Sequence, residues 1–413
     1  MAGSFRTFVP SADDPRVVQL SAEDAYSHAT RCLEIPWLRD IFDGWRRLYE
    51  QPFLGITTDG NKIPNLYSLA SDGAPVSAMV GCAKALLGTV SSEQRSALCH
   101  AINAQEWRGW SNPEIYANHF GLRLDEIQPS VRQAVLELMR ASLSPEGFTK
   151  ARDLMYTNEF LGHLVHGPRV LNEYSYNFNL FGTPSLTDPW GWNLFGHHLA
   201  LNCLVIGEQM VLSPVFMGAE PNEVDEGPRA GLKLLLREES LGLELMRSLP
   251  DLLQRQARVF EHMEDPAMPP GRVHPADGRH LGGAFRDNRL IPYEGVSANS
   301  FSDIQRTLLL DLIGTYLQSL PAGPFRARMR AVEQELQRTY FSWIGGFEED
   351  SPFYYRIQSP VVLIEFDHHS GIFLTNTHPA KFHIHTLVRT PNGNDYGMEL
   401  LHQHCGCSAN AER

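Results

Sequence analysis

The chain has 413 residues, 43% hydrophobic and 20% charged, which suffices for a sizeable core in one large or two modest domains. A net charge of -13 without clustered lysine and arginine argues against nucleic-acid binding. No stretch approaches the roughly 18 to 20 apolar residues of a membrane span, and the charged, proline-containing N-terminus is unlike a signal peptide. We therefore expect a cytoplasmic protein that binds neither nucleic acid nor membrane.

Residues 1–166 are predicted to form a mainly helical layer. Apolar residues recur at intervals of three and four over 76–87, which is typical of a helix with one buried face. Two further helices have start signals: Ser91 with Gln94 forms a capping box, and Ser144–Pro145 places a cap before a proline.

Residues 167–413 are predicted to be a mixed β and α part that packs with the first into one compact unit. Alternating side chains from Glu173 predict a half-buried strand. Two β-prone runs, 192–206 and 209–218, flank Gly207-Glu208, which favours a hairpin turn.

Helical periodicity returns over 229–263. The proline- and glycine-rich stretch 264–283 is predicted to be a long loop, either a binding segment or a plain linker. Ser302 with Gln305 begins another helix, and a last one is predicted over 324–343.

The chain closes with two predicted strands, 354–367 and 381–390. Strands thus gather in the middle and at the end, with helices before and between them. The fold class is α+β, with a helical N-terminal half packed on a mainly antiparallel β region that carries the site.

Seven of the 17 histidines lie in the last 46 residues. Alternation along the last strand places His383 and His385 on one face with Arg389, opposite Phe382 and Ile384. Two imidazoles separated by one residue on a strand can reach one cation, which predicts a metal site. The alternative is two surface histidines that alternate by chance.

Carboxylates on the preceding strand are candidate partners. Glu365 is predicted to be a metal ligand, because a charge after a Val-Val-Leu-Ile run is costly to bury unless it is paired or bound to metal. Asp367, on the same face, is predicted to orient a ligating imidazole, or else to be solvated. His198 is expected to be a further metal ligand, and its neighbour His197 either a core histidine or a group that supports the site.

Two other residues are candidate catalytic groups. Arg389 is suited to clamp a substrate carboxylate or phosphate, and Tyr396 to act as an acid or oxyanion donor. A structural salt bridge and a packed turn residue are the alternatives. The C-terminal segment HQHCGC, from His402 to Cys407, offers a separate metal clip, although its spacing matches no zinc-finger pattern.

Four segments resemble the bacterial and fungal family named domain of unknown function 3500: WGWNLFGHHLALN, FMGAEPNEV, YYRIQSPVVLIEFD and FHIHTLVRTPNGNDYGMELLHQH. The resemblance implies that the polar groups of these motifs share one site, but supplies no reaction. They are His197, His198, Glu365, Asp367, His383, His385, Asp395 to Gly397 and His404. The chain departs from many bacterial members at His368, and its CGC ending is unfamiliar.

The residues favour a metal-dependent enzyme for a small organic molecule. Zinc or manganese would serve as a Lewis acid for a hydrolase, lyase or isomerase. Iron or copper in an oxidoreductase or oxygenase is the alternative, and a non-catalytic metal- or ligand-binding protein the third. Serine hydrolase, Walker, dinucleotide and zincin motifs are absent. A homodimer is left open.

Overall fold

The computed structural model describes residues 4–411, with side chains up to Gly406. Its α-helices are Pro15–Ala22 (α1), Ala25–Glu34 (α2), Pro36–Tyr49 (α3), Val76–Thr89 (α4), Ser92–Leu98 (α5), Pro129–Ser142 (α6), Pro145–Leu164 (α7), Leu236–Ser248 (α8), Asp251–Ala257 (α9), Asp303–Leu317 (α10), Ala322–Gln334 (α11) and Met398–Ala411 (α12). The three predicted helix starts are confirmed: Ser91 and Ser302 form capping boxes, and Ser144 accepts the N–H of Gly147.

The strands are Cys99–His100 (β1), Leu122–Arg123 (β2), Tyr176–Gly182 (β3), Trp190–Gly196 (β4), Leu199–Ile206 (β5), Gln209–Ala219 (β6), Glu223–Val224 (β7), Leu232–Lys233 (β8), Arg258–Phe260 (β9), Val296–Ser297 (β10), Tyr340–Gly345 (β11), Phe353–Gln358 (β12), Leu363–His369 (β13) and Ala380–Arg389 (β14). Twelve of them form one sheet, ordered β1-β3-β4-β5-β6-β14-β13-β12-β11-β10, with β2 beside β3 and β9 beside β11. Pairing is antiparallel except at β1 with β3 and β9 with β11. The predicted α+β class is confirmed.

Both faces of the sheet are covered. On one face, α4, α6, α7, α8 and α10 pack against strand residues such as Ile384 and Val388. On the other, Trp45 of α3, Phe285 of the long loop and the start of α12 pack against Leu387 and its neighbours. Strand residues expected to be half-exposed are therefore buried, which hides the histidine face of β14 beneath helix and loop.

The predicted helix over 324–343 is wrong at its end. Helix α11 stops at Gln334, and Tyr340–Gly345 is strand β11, paired with β12 and β10. The aromatic and β-branched residues of this segment suit a buried strand, and pairing with two neighbours overrides the helical period that runs into it.

Two predicted single strands are hairpins. Residues 354–367 divide into β12 and β13, because Ser359 and Pro360 begin a turn in which the Ser359 amide donates to the carbonyl of Val362. Residues 192–206 divide into β4 and β5 around His197 and His198. The hairpin at Gly207-Glu208 is confirmed, with Ile206 paired to Gln209.

The predicted loop 264–283 lies within a longer loop, residues 261–295, which runs over the second face of the sheet. Its path is fixed by carboxylates of β13: Glu365 accepts the amides of Leu281 and Gly282, and Asp367 accepts the amide of Arg279. The loop is therefore part of the packed structure. Among the described helices, none is long and apolar enough to cross a bilayer.

Candidate metal centre

The candidate centre lies where two halves of the sheet meet. Strand β6 pairs antiparallel with β14, and this register sets Gly218 opposite His385. The Gly218 amide also donates to the carbonyl of His198 at 2.8 Å. The pairing of β6 with β14 therefore brings the β4–β5 turn beside the histidine strand.

His197 and His198 occupy that turn, between Gly196 and Leu199. The alternation of side chains had predicted a regular strand at these two positions. His198 has a left-handed backbone, with φ of 62°. This conformation is uncommon for a side chain with a Cβ atom, although histidine adopts it more often than most residues. The turn directs the two imidazoles to neighbouring positions, stacked with centroids 3.8 Å apart.

Three imidazole nitrogens converge. The Nε2 atom of His385 lies 3.1 Å from Nε2 of His198 and 3.0 Å from Nε2 of His383. All three side chains are buried. We call His198, His383 and His385 the three-histidine cluster. The structure thus brings together three of the four residues predicted to bind a metal.

Protons alone do not satisfy this cluster. His383 donates Nδ1–H to the carbonyl of Ser370 at 2.8 Å, so its Nε2 carries a lone pair in the neutral ring. One proton on His385 Nε2 could at best be shared between its two neighbours. A cation accepts all three lone pairs. Tetrahedral ligand bonds of about 2.0–2.1 Å place neighbouring nitrogens about 3.3–3.4 Å apart, and the two observed distances of 3.1 and 3.0 Å are a few tenths of an ångström shorter.

Burial keeps two members of the cluster, His198 and His385, neutral. Burial, followed by repulsion from neighbouring imidazoles, lowers the pKa of His198 and of His385 well below the usual histidine value. Burial also lowers the pKa of the adjacent His197 and His369 to about 4 in each case. Neutral imidazole is the form that binds metal, so the surroundings prepare the nitrogens as ligands.

Gly218 makes the convergence sterically feasible. A Cβ atom at this position would lie 2.9 Å from Cδ2 of His385 and 3.0 Å from Cδ2 of His198. Side chains packed this closely would have to move apart. A glycine here has a packing role that the sequence motif FMGAEP does not reveal by itself.

The predicted carboxylate ligand lies elsewhere. Glu365 is buried, and its oxygens accept the amides of Leu281 and Gly282 and the hydroxyl of Tyr354. Asp367 accepts two bonds from Arg279 and lies 3.0 Å from Nε2 of His369. Both side chains share the histidine face, as alternation predicts, but loop donors occupy their oxygens.

Arg389 and Tyr396 are also outside the cluster. Arg389 donates to Asp287, Asp395 and the carbonyls of Gly282 and Gly283. The Tyr396 hydroxyl donates to Asp287 at 3.0 Å and accepts the Trp110 indole N–H at 2.9 Å. Both are fully buried in a network that holds the long loop against α12. These bonds correspond to the alternatives that the sequence left open for the two side chains, a structural salt bridge and a packed turn residue.

A cavity of about 320 Å³ reaches the cluster. His198 and His385 line it together with His197 and His369. The walls are mainly apolar side chains. They come from α1, α2, α3, the segment around Ile115 and the separate segment around Phe373. The volume falls in the usual range for a small-molecule site, so an organic molecule could reach the three nitrogens.

A second polar group lines the same cavity: His28 and Cys32 of α2 with Glu114. We call it the α2 group. Like the three-histidine cluster, it holds metal-type donor atoms within 4.8 Å of one another. His28 bonds to Glu23 at 2.8 Å and to Glu114 at 3.1 Å. Both donor groups are thus positioned to bind a metal, but His28 already has a carboxylate at each nitrogen.

Several site residues had no signal in the sequence argument. Glu220, in the turn after β6, accepts the amides of Ile372 and Leu374 and so fixes a wall of the cavity. His280, in the long loop, is buried with its centroid 6.3 Å from that of His385. Neither ring nitrogen of His280 has a partner within the described chain. His280 lies near the three-histidine cluster because the long loop that carries it packs on the sheet.

The C-terminal HQHCGC segment belongs to helix α12. Cys405 is exposed, and Cys407 lies outside the described side chains. The described residues of this segment do not line the cavity. Its metal-clip interpretation therefore stays a prediction.

The chain matches the family described as protein of unknown function (DUF3500) over residues 72–398. It belongs to that family, as its motifs predicted. No curated protein and no solved structure matches it. The matched range contains the three-histidine cluster and Glu114, whereas His28 and Cys32 precede it.

Proposed function

We propose that this protein is a metal-dependent enzyme that acts on a small organic molecule bound in the cavity. The observation that carries the proposal is the approach of Nε2 of His198 and of His383 to Nε2 of His385, at 3.1 and 3.0 Å. Two of these residues, His198 and His385, line a largely apolar cavity. A divalent metal held by three imidazoles supplies a Lewis acid for a water molecule or a substrate oxygen. Hydrolase, lyase and isomerase chemistry are the reaction classes proposed.

The chain's own residues provide the surroundings that such chemistry needs. Ser370 fixes the tautomer of His383, and Gly218 lets the rings of His198 and His385 approach. Apolar walls exclude bulk water, which strengthens electrostatic interactions inside the cavity. Three protein ligands leave further coordination positions for water or substrate.

Iron or copper oxygen chemistry is the second candidate, but it has less support. That hypothesis depended on a carboxylate beside two histidines. The oxygens of Glu365 accept hydrogen bonds from two loop amides and Tyr354, and those of Asp367 accept from Arg279. The metal ligands proposed are therefore three nitrogens. Three imidazoles with an open fourth position are a ligand set of catalytic zinc, so zinc in a non-redox role is the ion proposed first, and manganese, which prefers oxygen ligands, is proposed second.

Metal analysis and reconstitution test the proposal. Protein purified without added metal should contain stoichiometric zinc or manganese, measured by mass spectrometry of the acid digest. Chelator-treated protein should hydrolyse p-nitrophenyl acetate at least about 100-fold more slowly than protein reloaded with zinc. The reloaded rate should be equal in air and under nitrogen. Oxygen consumption by an iron- or copper-loaded form would contradict the proposal. So would a cobalt-substituted protein whose visible spectrum does not change when acetohydroxamic acid, a metal chelator, is added.

A further inference from the structure

The cavity wall next to the three-histidine cluster presents hydrogen-bond acceptors. Asn158 donates its Nδ2 to the carbonyl of Asn172 and to Ser175, so its Oδ1 must accept from His197 Nδ1–H, at 2.8 Å. His197 therefore carries a lone pair on Nε2. Because His197 lines the cavity, this nitrogen is an acceptor for a ligand there.

Glu114 is the second acceptor. Its Oε1 accepts from His28 at 3.1 Å, and within the described chain no other side chain donates to this carboxylate. Burial disfavours the charged form, but the bond from His28 and the nearby positive charge lower the pKa of Glu114, so it is ionised. Glu114 and His197 line two cavities in common. A ligand that occupies this shared space can therefore contact both side chains.

The cations of the same wall are already neutralised. Arg31 donates hydrogen bonds from Nε and Nη2 to Glu23, and Arg16 donates from the corresponding atoms to Asp14. Their positive charges are thus paired with carboxylates before any ligand enters. His28, the third cation, likewise has a carboxylate at each ring nitrogen. The positive charges of this wall are thus paired with carboxylates, whereas one oxygen of Glu114 has no side-chain donor among the described residues.

From this wall we infer that the substrate class is an apolar molecule carrying a primary amine, bound as its ammonium by Glu114 and His197 while another of its groups meets the metal. An ammonium has three donors and no acceptor, which matches two acceptors beside each other. Apolar walls, including Trp37, Ile115 and Phe373, contact the remainder of the molecule. This inference rests on the proposed function, because the metal fixes the other end of the ligand.

Chelating probes of matched length test the inference. Alkyl hydroxamic acids bind metals through their oxygens, so a series of chains ending in methyl, amine or carboxylate can be titrated into zinc-loaded protein by calorimetry. At the best chain length, the amine-terminated probe should bind at least about tenfold more tightly than the methyl-terminated one. In Glu114→Gln this preference should vanish, whereas the methyl-terminated probe keeps its affinity.

The outcomes separate this inference from the proposed function. If no hydroxamate binds zinc-loaded protein, the open metal site itself is refuted. If the methyl probe binds but the amine gives no gain at any length, or the carboxylate binds most tightly, the metal site stands and the amine inference is overturned. The comparison of probes in the unmodified chain remains decisive even if Glu114→Gln folds poorly.

Discussion

The three-histidine cluster and the α2 group contain similar donors in one cavity, yet their surroundings differ. In the cluster, imidazole faces imidazole, and Nδ1 of His385 has no partner among the described residues. In the α2 group, His28 lies between Glu23 and Glu114, with Cys32 at 3.5 Å. Among the described residues, the nitrogen lone pairs of the three-histidine cluster have no positive charge beside them, whereas the carboxylates of the α2 group already have the positive charge of His28.

The pKa values follow the same contrast. Burial, followed by repulsion from neighbouring imidazoles, lowers the pKa of His385 well below the usual histidine value. Burial acts in the same direction on His28, but the bonds with Cys32 and Glu114 outweigh it and raise the pKa to about 10. Donor spacing alone does not define a metal site. The charge state that the neighbours impose decides whether the donors are available.

The largest expected effect is a loss of zinc affinity that distinguishes the three-histidine cluster from the α2 group. His385→Ala removes the nitrogen shared by both close contacts, so the affinity for zinc should fall by more than about 100-fold. Competition with a zinc-sensitive dye measures it. The matched change His28→Ala should leave zinc affinity intact. Equal losses in both variants would erase the distinction drawn here.

Gly218→Ala should have the next largest effect. The added Cβ would press on Cδ2 of His385 and of His198, and displaced ligands should cost about 10–100-fold in zinc affinity. Gly81→Ala is the matched control, because a Cβ there meets nothing within 4 Å. Unchanged zinc affinity in Gly218→Ala, measured by the same dye competition, would show that the rings adapt freely.

The pH dependence of stability should identify the α2 group as an ion-pair network. His28 has a folded pKa of about 10 against a usual 6.5, so its stabilisation is complete below 6.5 and is lost as pH rises through 10. The difference in unfolding free energy between the native chain and His28→Gln should shrink by about 4 kcal/mol over that interval. Urea titrations at a series of pH values measure it. A constant difference would mean that His28 is neutral.

The smallest expected effect concerns Cys32. Cys32→Ser should change zinc content by less than about twofold, because the sulfur lies beside a protonated imidazole that has no lone pair to share with a metal. Mass spectrometry of intact protein under non-denaturing conditions gives the stoichiometry. Loss of a bound ion from Cys32→Ser would place a metal in the α2 group.

Strand alternation predicted the part of the site that depends on local geometry. It placed His383 and His385 on one face of β14, and Glu365 and Asp367 on the matching face of β13, as the strand register shows. It could not predict what meets those faces. The long loop has no periodicity, so its donors to Glu365 and Asp367 were invisible in the sequence.

Residues supplied by tertiary packing were beyond a local reading. His28 and Glu114 are 86 positions apart and meet only because α2 packs beside the segment that carries Glu114. His198 was selected by assuming a strand, although it lies in a turn with left-handed backbone. The start of β11 was assigned to a helix, because the helical period of α11 runs into it and only pairing with β12 and β10 makes it a strand.

The pairing of β6 with β14 has a consequence for folding. His198 and His385 are separated by 187 positions, so a metal bound between them acts as a cross-link that closes a long stretch of chain. Unfolded chains do not hold these nitrogens together, and the binding energy therefore adds to the stability of the native state. Metal supply would then govern how much of this protein survives proteolysis, in addition to how much of it is active.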